Sequence, residues 1–172
     1  MMMNERYEKF FMDSYTLEHT KRYSMKPVLL QESVATHSYF VALAVLLLRN
    51  DYKFDVDKAI KIALCHDLPE MYISDVNHMV KKQFPNVAKA LKEAEEQIAS
   101  GMPFHVSMWV REYNSDTPEA LAVHYADALQ CKQYADNEIQ LGNQGYMTDV
   151  YRNSCKRLYE LEQKLKPYKV DP

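Results

Sequence analysis

Ile60-Lys61-Ile62-Ala63-Leu64-Cys65-His66-Asp67-Leu68-Pro69-Glu70 is an apolar helical run that ends in three groups able to bind a metal ion or move a proton. Ala59, Ile60, Ala63 and Leu64 recur at helical spacing and predict a face turned toward a core, which brings His66 and Asp67 to the edge of that core. Adjacent residues on a helix point about 100° apart, so a His-Asp pair grips one object only when that object sits beside the helix, between the two side chains. A divalent cation meets that description. Taken alone, the dipeptide reads more simply as a core histidine beside a surface aspartate, so it needs partners elsewhere in the chain.

Composition bounds those partners. The 172 residues are 47% hydrophobic, enough for one domain spanning 1–172 with a single sizeable core. Only three glycines occur, and Leu, Ala, Lys, Glu and Met are abundant, which predicts an all-α fold over a turn-rich β one. A net charge of -3 gives no global reason to expect a nucleic-acid polymer or an anionic membrane as partner. Cys65, Cys131 and Cys155 are odd in number and widely spaced, the pattern of reduced thiols in a cytoplasmic protein. Residues 1–11 carry Glu5, Arg6, Glu8 and Lys9 and do not read as a secretion leader, and Val41 to Leu48 is too short to cross a bilayer.

Punctuation along the chain predicts a bundle of seven or eight helices. Tyr7, Phe10, Phe11, Ser14 and Leu17 mark an amphipathic first helix that fades near Glu18 to Thr20, and Pro27 makes Lys21 to Gln31 irregular. Ser33 caps a second helix with Val34, His37, Val41, Ala44, Val45 and Leu48 on one face, and Asp55 caps the third, which ends or kinks near Pro69. Asp75 to Lys82, Asn86 to Ser100 and Phe104 to Tyr113 follow as helices, the second stopped by Gly101. Thr117-Pro118-Glu119 opens a long helix toward Leu141-Gly142, its apolar face read at Leu121, Ala122, Tyr125, Ala128 and Leu129. Met147 to Lys166 closes the bundle.

Two further residues qualify as partners of His66 and Asp67. His37 sits in the apolar stripe of its helix, where a hydrogen-bonded core histidine is the plainer reading. Asp127 lies mid-helix in Tyr125-Ala126-Asp127-Ala128-Leu129, where an unpaired carboxylate would cost several kcal/mol, so it wants a cation. Together His37, His66, Asp67 and Asp127 make a mixed nitrogen and oxygen donor set suited to Mn, Fe, Co, Zn or Mg.

The order His37, then His66-Asp67, then Asp127 resembles the H...HD...D signature of the HD-domain metal-dependent phosphohydrolases. Flanking residues are similar to those of bacterial 5'-deoxynucleotidases and phage deoxynucleoside triphosphate triphosphohydrolases: Arg22-Tyr23, Glu32-Ser33-Val34-Ala35-Thr36-His37-Ser38, His66-Asp67-Leu68-Pro69-Glu70 with Ser74-Asp75, Val80-Lys81, and Ala126-Asp127-Ala128-Leu129. The likeness covers residues 5–165 and implies an all-α HD-domain helical bundle. It also implies one divalent metal ion on His37, His66, Asp67 and Asp127. Glu70 would act on the attacking water or the leaving oxygen, with Asp67 beside it. Arg22 and Lys81 would hold phosphate oxygens, Asp75 would read the sugar 3'-hydroxyl, and Tyr23 and Met25 would line the sugar or base pocket. For Lys81 and Met25, plain surface or packing roles are as good a reading.

Two departures stand out. Tyr23 occupies a position where tryptophan is common in that family, and His124, three residues before Asp127, replaces a frequent lysine, which predicts pH-sensitive substrate binding if it faces the site. Glu70 is followed by Met71 rather than the Asp of alarmone hydrolases, and the GYP motif of the cyclic-dinucleotide branch is absent. The resemblance therefore implies a hydrolase of small 2'-deoxynucleotides. The first reading is a 5'-deoxynucleotidase that releases phosphate. The second is a triphosphohydrolase drawing on Arg22, Lys81 and Lys21 or Lys26, and a non-catalytic nucleotide-binding regulator is a third. A homo-oligomer is also implied, with Tyr146, Tyr151, Tyr159 and Leu165 as candidate contacts or core.

Overall fold

Side-chain caps set where the helices start. Asn4 accepts from the Arg6 amide, Ser33 from Thr36, Asp55 from Lys58 and Thr117 from Ala120, each cap contributing about 1 kcal/mol to the helix it opens. The computed structural model describes residues 4–170, so Met1 to Met3 of the charged start lie outside the described residues. In chain order the helices are α1 (Glu5–Ser14), α2 (Thr16–His19), α3 (Val34–Leu48), α4 (Val56–Cys65), α5 (Glu70–Ile73), α6 (His78–Gln83), α7 (Pro85–Gly101), α8 (Phe104–Glu112), α9 (Pro118–Gln140) and α10 (Gly145–Leu165), closed by a 3-10 turn at Lys166–Tyr168. Eight of the ten exceed a single turn and no strand occurs among the described residues, so the all-α bundle read from the sequence is what the chain forms.

α9 is the axis of the fold. Ala120, Leu121, Ala122, Val123, Ala126 and Ala128 are all buried, because α3, α4 and α10 pack around it. This all-round burial is why its apolar residues show no single stripe: the small alanines let three helices approach on different sides. The inward face of α4 also differs from the one expected. Ala59, Ile62 and Ala63 are buried and lead on to His66 one turn later, whereas Leu64 is 52% exposed. Both settings of that face satisfy helical spacing, and packing on α3 and α9 selects the one carrying the histidine.

The segment from Lys21 to Gln31 is irregular, as Pro27 predicts, but it is tied down. Glu138 of α9, wholly buried, accepts from the backbone amides of Leu29 (2.9 Å) and Leu30 (2.6 Å) and from Asn143 Nδ2 (2.7 Å). Tyr134 donates to the Leu30 carbonyl at 2.6 Å. These bonds hold the loop that carries Arg22 and Tyr23 against the C-terminal half of α9. On α10, Leu165 is core, and Tyr146 and Tyr151 pack against Tyr134, Ala135 and Met147; Tyr159 remains 67% exposed.

Candidate metal centre and substrate cleft

Three parts of the fold converge on one point. α3 contributes His37 from its inward face, the C-terminal end of α4 contributes His66 and then Asp67, and α9 contributes Asp127 from mid-helix. A ring nitrogen of His37, a ring nitrogen of His66 and a carboxylate oxygen of Asp127 lie within 4.8 Å of one another, all three residues buried. Asp67 joins them: its Oδ2 is 3.2 Å from His66 Nε2 and 3.6 Å from His37 Nε2. Asp127 Oδ1 is 3.3 Å from His37 Nε2.

The second nitrogen of each ring is already committed. His37 Nδ1 donates to Gln130 Oε1 at 2.7 Å, and His66 Nδ1 donates to the Ala63 carbonyl at 2.7 Å. Each bond fixes the ring's orientation and leaves Nε2 facing the carboxylates. Both Nε2 atoms are buried and have no hydrogen-bond partner. Two orphaned imidazole nitrogens beside two carboxylates form a donor set that fits a borderline divalent cation.

Electrostatics support this reading. Burial disfavours the charged His66 ring, yet Asp67, Asp127 and the Ala63 carbonyl raise its pKa to about 9. Burial also opposes ionisation of Asp67 and Asp127. For Asp67 the two histidines and Arg22 prevail and hold the carboxyl at about 2, and for Asp127 His37, Arg157 and His66 hold it well below the usual carboxylate range. The pocket is thus built around stable negative charge, and without a metal a proton on His66 balances part of it.

Around this centre the structure gathers most of the residues expected from the sequence. Glu70, at the start of α5, has a buried Oε2 without a partner. Its pKa is pushed up to about 9 by burial and then by the negative charges of Asp67 and Asp75, while Arg22 and Lys81 pull the other way. Asp67, Asp75, Arg22 and Lys81 thus all act electrostatically on this one carboxyl. Arg22 Nη1 stands 3.7 Å from Asp67 and Nε 3.3 Å from Glu32. Tyr23 stacks on Tyr134 with ring centroids 5.1 Å apart and meets Tyr146 edge-on. Met25 stands apart, 75% exposed on the loop. His124 is removed by one ring: it packs on Tyr113 with centroids 4.2 Å apart, and burial and then Arg157 lower its pKa.

Several participants escaped the sequence reading. Arg157 of α10 donates to Asp127 Oδ2 at 2.9 Å, and Tyr113 donates to the same oxygen at 3.2 Å. Glu32, quoted above only as a motif residue, is buried and accepts from Gln130 Nε2, which makes a chain of contacts from Arg22 through Glu32 and Gln130 to His37. Arg157 sits in Cys155-Lys156-Arg157-Leu158 on a charged amphipathic helix, and nothing local distinguishes it from the neighbouring surface lysine. An aspartate needing a cation was the one available signal, and the cation arrives 30 residues later.

Comparison with known proteins adds an independent line. A family model described as an HD domain matches residues 15–162. The mouse (Mus musculus) 5'-deoxynucleotidase HDDC2 is 26% identical over 133 residues, covering 72% of this chain and 65% of that protein, so a little under two thirds of the relative's length is spanned. The PH0347 protein of Pyrococcus horikoshii OT3 superposes with a TM-score of 0.79 at 26% identity, over 93% of this chain and 94% of that one. The cyanophage S-2L HD phosphohydrolase DatZ, solved with dA and one catalytic Zn2+, superposes with a TM-score of 0.65 over 99% of this chain and 90% of that one; at 17% identity the likeness is one of fold.

Proposed function

The chain belongs to the HD-domain family, and from that premise we propose that it is a divalent-metal-dependent hydrolase of small 2'-deoxynucleotides, acting as a 5'-deoxynucleotidase. The observation that carries the reading is the pair of buried, unpartnered Nε2 atoms facing Asp67 and Asp127. His37, His66, Asp67 and Asp127 would hold the metal. Bound there, a divalent ion polarises a phosphoryl oxygen and lowers the pKa of a bound water.

The chain's own groups supply the rest. Arg22 and Lys81, whose charges both act on Glu70, would give the phosphate a fork and a point charge. Glu70, its pKa pushed up to about 9 and its buried Oε2 without a partner, is assigned to deliver a proton to the leaving 5'-oxygen as water adds to phosphorus and the P–O5' bond breaks. Asp75, whose charge also acts on Glu70, is assigned to the 3'-hydroxyl, and Tyr23, stacked on Tyr134, to the face of the sugar. The mouse relative's name supports a deoxynucleotide substrate, and the dA found in the phage structure fits the same class. Cys65, Cys131 and Cys155 are unpaired, which supports a cytoplasmic setting. No helix among the described residues is long and apolar enough to cross a membrane.

One assay tests the proposal. With cobalt or manganese present, dAMP, AMP, dATP and ATP are offered separately and the products resolved. Phosphate from dAMP and none from AMP is the expected result. Intact triphosphate from dATP would replace the monophosphate reading with the triphosphohydrolase one, and no turnover of any of the four would defeat the enzymatic reading.

A further inference from the structure

The two nitrogens of His37 face acceptors that favour opposite tautomers. Nε2 lies 3.3 Å from Asp127 Oδ1 and 3.6 Å from Asp67 Oδ2, and an ionised carboxylate accepts hydrogen bonds without donating any. Under the influence of these two alone, the neutral ring would carry its proton on Nε2, where it would block a cation. Nδ1 lies 2.7 Å from Gln130 Oε1. A carboxamide can present either end, so Gln130 by itself decides nothing. Its oxygen would accept from an Nδ1–H, and its nitrogen, turned round, would donate to a bare Nδ1.

Glu32 removes that freedom. Its Oε1 accepts from Gln130 Nε2, and His37, Gln130 and Glu32 are all buried, away from water that could stand in for either partner. Burial raises the Glu32 pKa, while Arg22, His37 and the Gln130 bond oppose that rise. Arg22 Nε, 3.3 Å from Glu32 Oε2, makes the carboxylate one half of an ion pair. A turned amide would set oxygen against oxygen, so the amide nitrogen faces Glu32 and the amide oxygen faces His37. The ring then holds its proton on Nδ1 and directs the Nε2 lone pair at the metal position. We propose that Glu32 is a positioning residue that, acting through Gln130, selects the His37 tautomer able to bind a metal ion, and that Arg22 serves this relay as well as the phosphate. The relay deepens the metal-centre reading and rests on it, and it is independent of which nucleotide is cleaved.

Glu32→Gln tests it, because glutamine fills the same space but donates as well as accepts. Manganese affinity, read by competition against a chromophoric chelator, is expected to fall about tenfold or more in this variant, with helical circular dichroism unchanged. Gln130→Met keeps the volume, breaks the relay and is expected to lose affinity to a similar degree. Added to Gln130→Met, Glu32→Gln should then cost little more, because an effect carried by the amide vanishes in that background whereas a charge acting through space survives. Proton–nitrogen NMR of the zinc-loaded protein gives a second readout: wild type should show a slowly exchanging His37 Nδ1–H that exchanges faster in both single variants. Should Glu32→Gln fail to fold, Gln130→Met carries the test through both readouts. Unchanged manganese affinity in either folded single variant would overturn the inference, as would equal losses from Glu32→Gln with and without Gln130→Met. A wild type that binds no manganese would instead take down the metal centre itself, and the relay with it.

Discussion

Asp127 has two oxygens with two different duties. Oδ1 faces His37 Nε2, whereas Oδ2 is held by Arg157 and Tyr113. The second pair of contacts fixes the carboxylate's rotation, so Arg157 acts on the metal centre through Asp127, as residues behind a ligand commonly do. Replacing Arg157 by Gln is expected to weaken metal affinity by about tenfold or more, the usual effect of losing such a support. Arg157→Lys should recover part of the loss, because the charge returns without the planar fork. Competition against a chromophoric chelator reads the affinity apart from catalysis, and an unchanged affinity in Arg157→Gln would reduce the contact to a surface ion pair. His37 is supported similarly through Gln130 and Glu32. These supports join residues 93 to 98 positions apart, which is why no local pattern announces them.

At the scale of the elements, the turn after α5 stores backbone strain beside the residue proposed to read the sugar. Ser74 caps α5 with φ 63° and ψ 167°, a conformation that suits glycine and costs other residues about 1–3 kcal/mol. Asp75 follows immediately, so the strained residue is its direct neighbour in the chain. Ser74→Gly is therefore expected to raise the melting temperature by a few degrees, the strain relieved exceeding the extra freedom glycine gives the unfolded chain. If the strain positions Asp75, KM for a deoxynucleotide should rise at the same time with kcat little changed; a lower Tm would show that the serine is not strained there. Helix starts were legible in the sequence because Ser33, Asp55 and Thr117 act within three residues of themselves. Which face each helix turns inward was less so. α4 offers Ile60, Ile62, Ala63 and Leu64 to either setting, and α9 is buried on several sides, so its pattern points nowhere in particular. The four ligand candidates were legible for the opposite reason: a histidine or aspartate inside an apolar run is costly wherever it lies, and that cost shows before any contact is known.

Across the whole molecule, the metal centre ties α3, α4 and α9 together with charge that must be balanced in every state of the protein. Without metal, His66 carries a pKa of about 9 against about 6.5 in the unfolded chain. A raised histidine stabilises the fold fully below the unfolded value and loses that contribution as pH rises through the folded one, roughly 3 kcal/mol in all. Glu70 acts in the same direction: raised to about 9, it adds a growing cost as pH climbs from its unfolded value near 4.5. Asp67 and Asp127, both depressed, act at the other end, contributing above an unfolded value near 3.8 and losing that contribution as pH falls toward their folded values. The metal-free protein is therefore expected to be most stable near pH 4 to 5 and to lose stability above it, most steeply between about pH 6.5 and 9, where both groups act. A bound cation takes the place of the His66 proton, so metal and proton compete for the same Nε2 and metal affinity should rise over that interval. Melting temperatures across pH 5 to 9, measured once in chelator and once in excess manganese, check both effects: the two curves should diverge toward alkaline pH, the manganese curve lying increasingly above the other. Parallel curves would mean that the metal does not bind where His66 holds its proton, and the assignment of His37, His66, Asp67 and Asp127 as the metal ligands would fail with it.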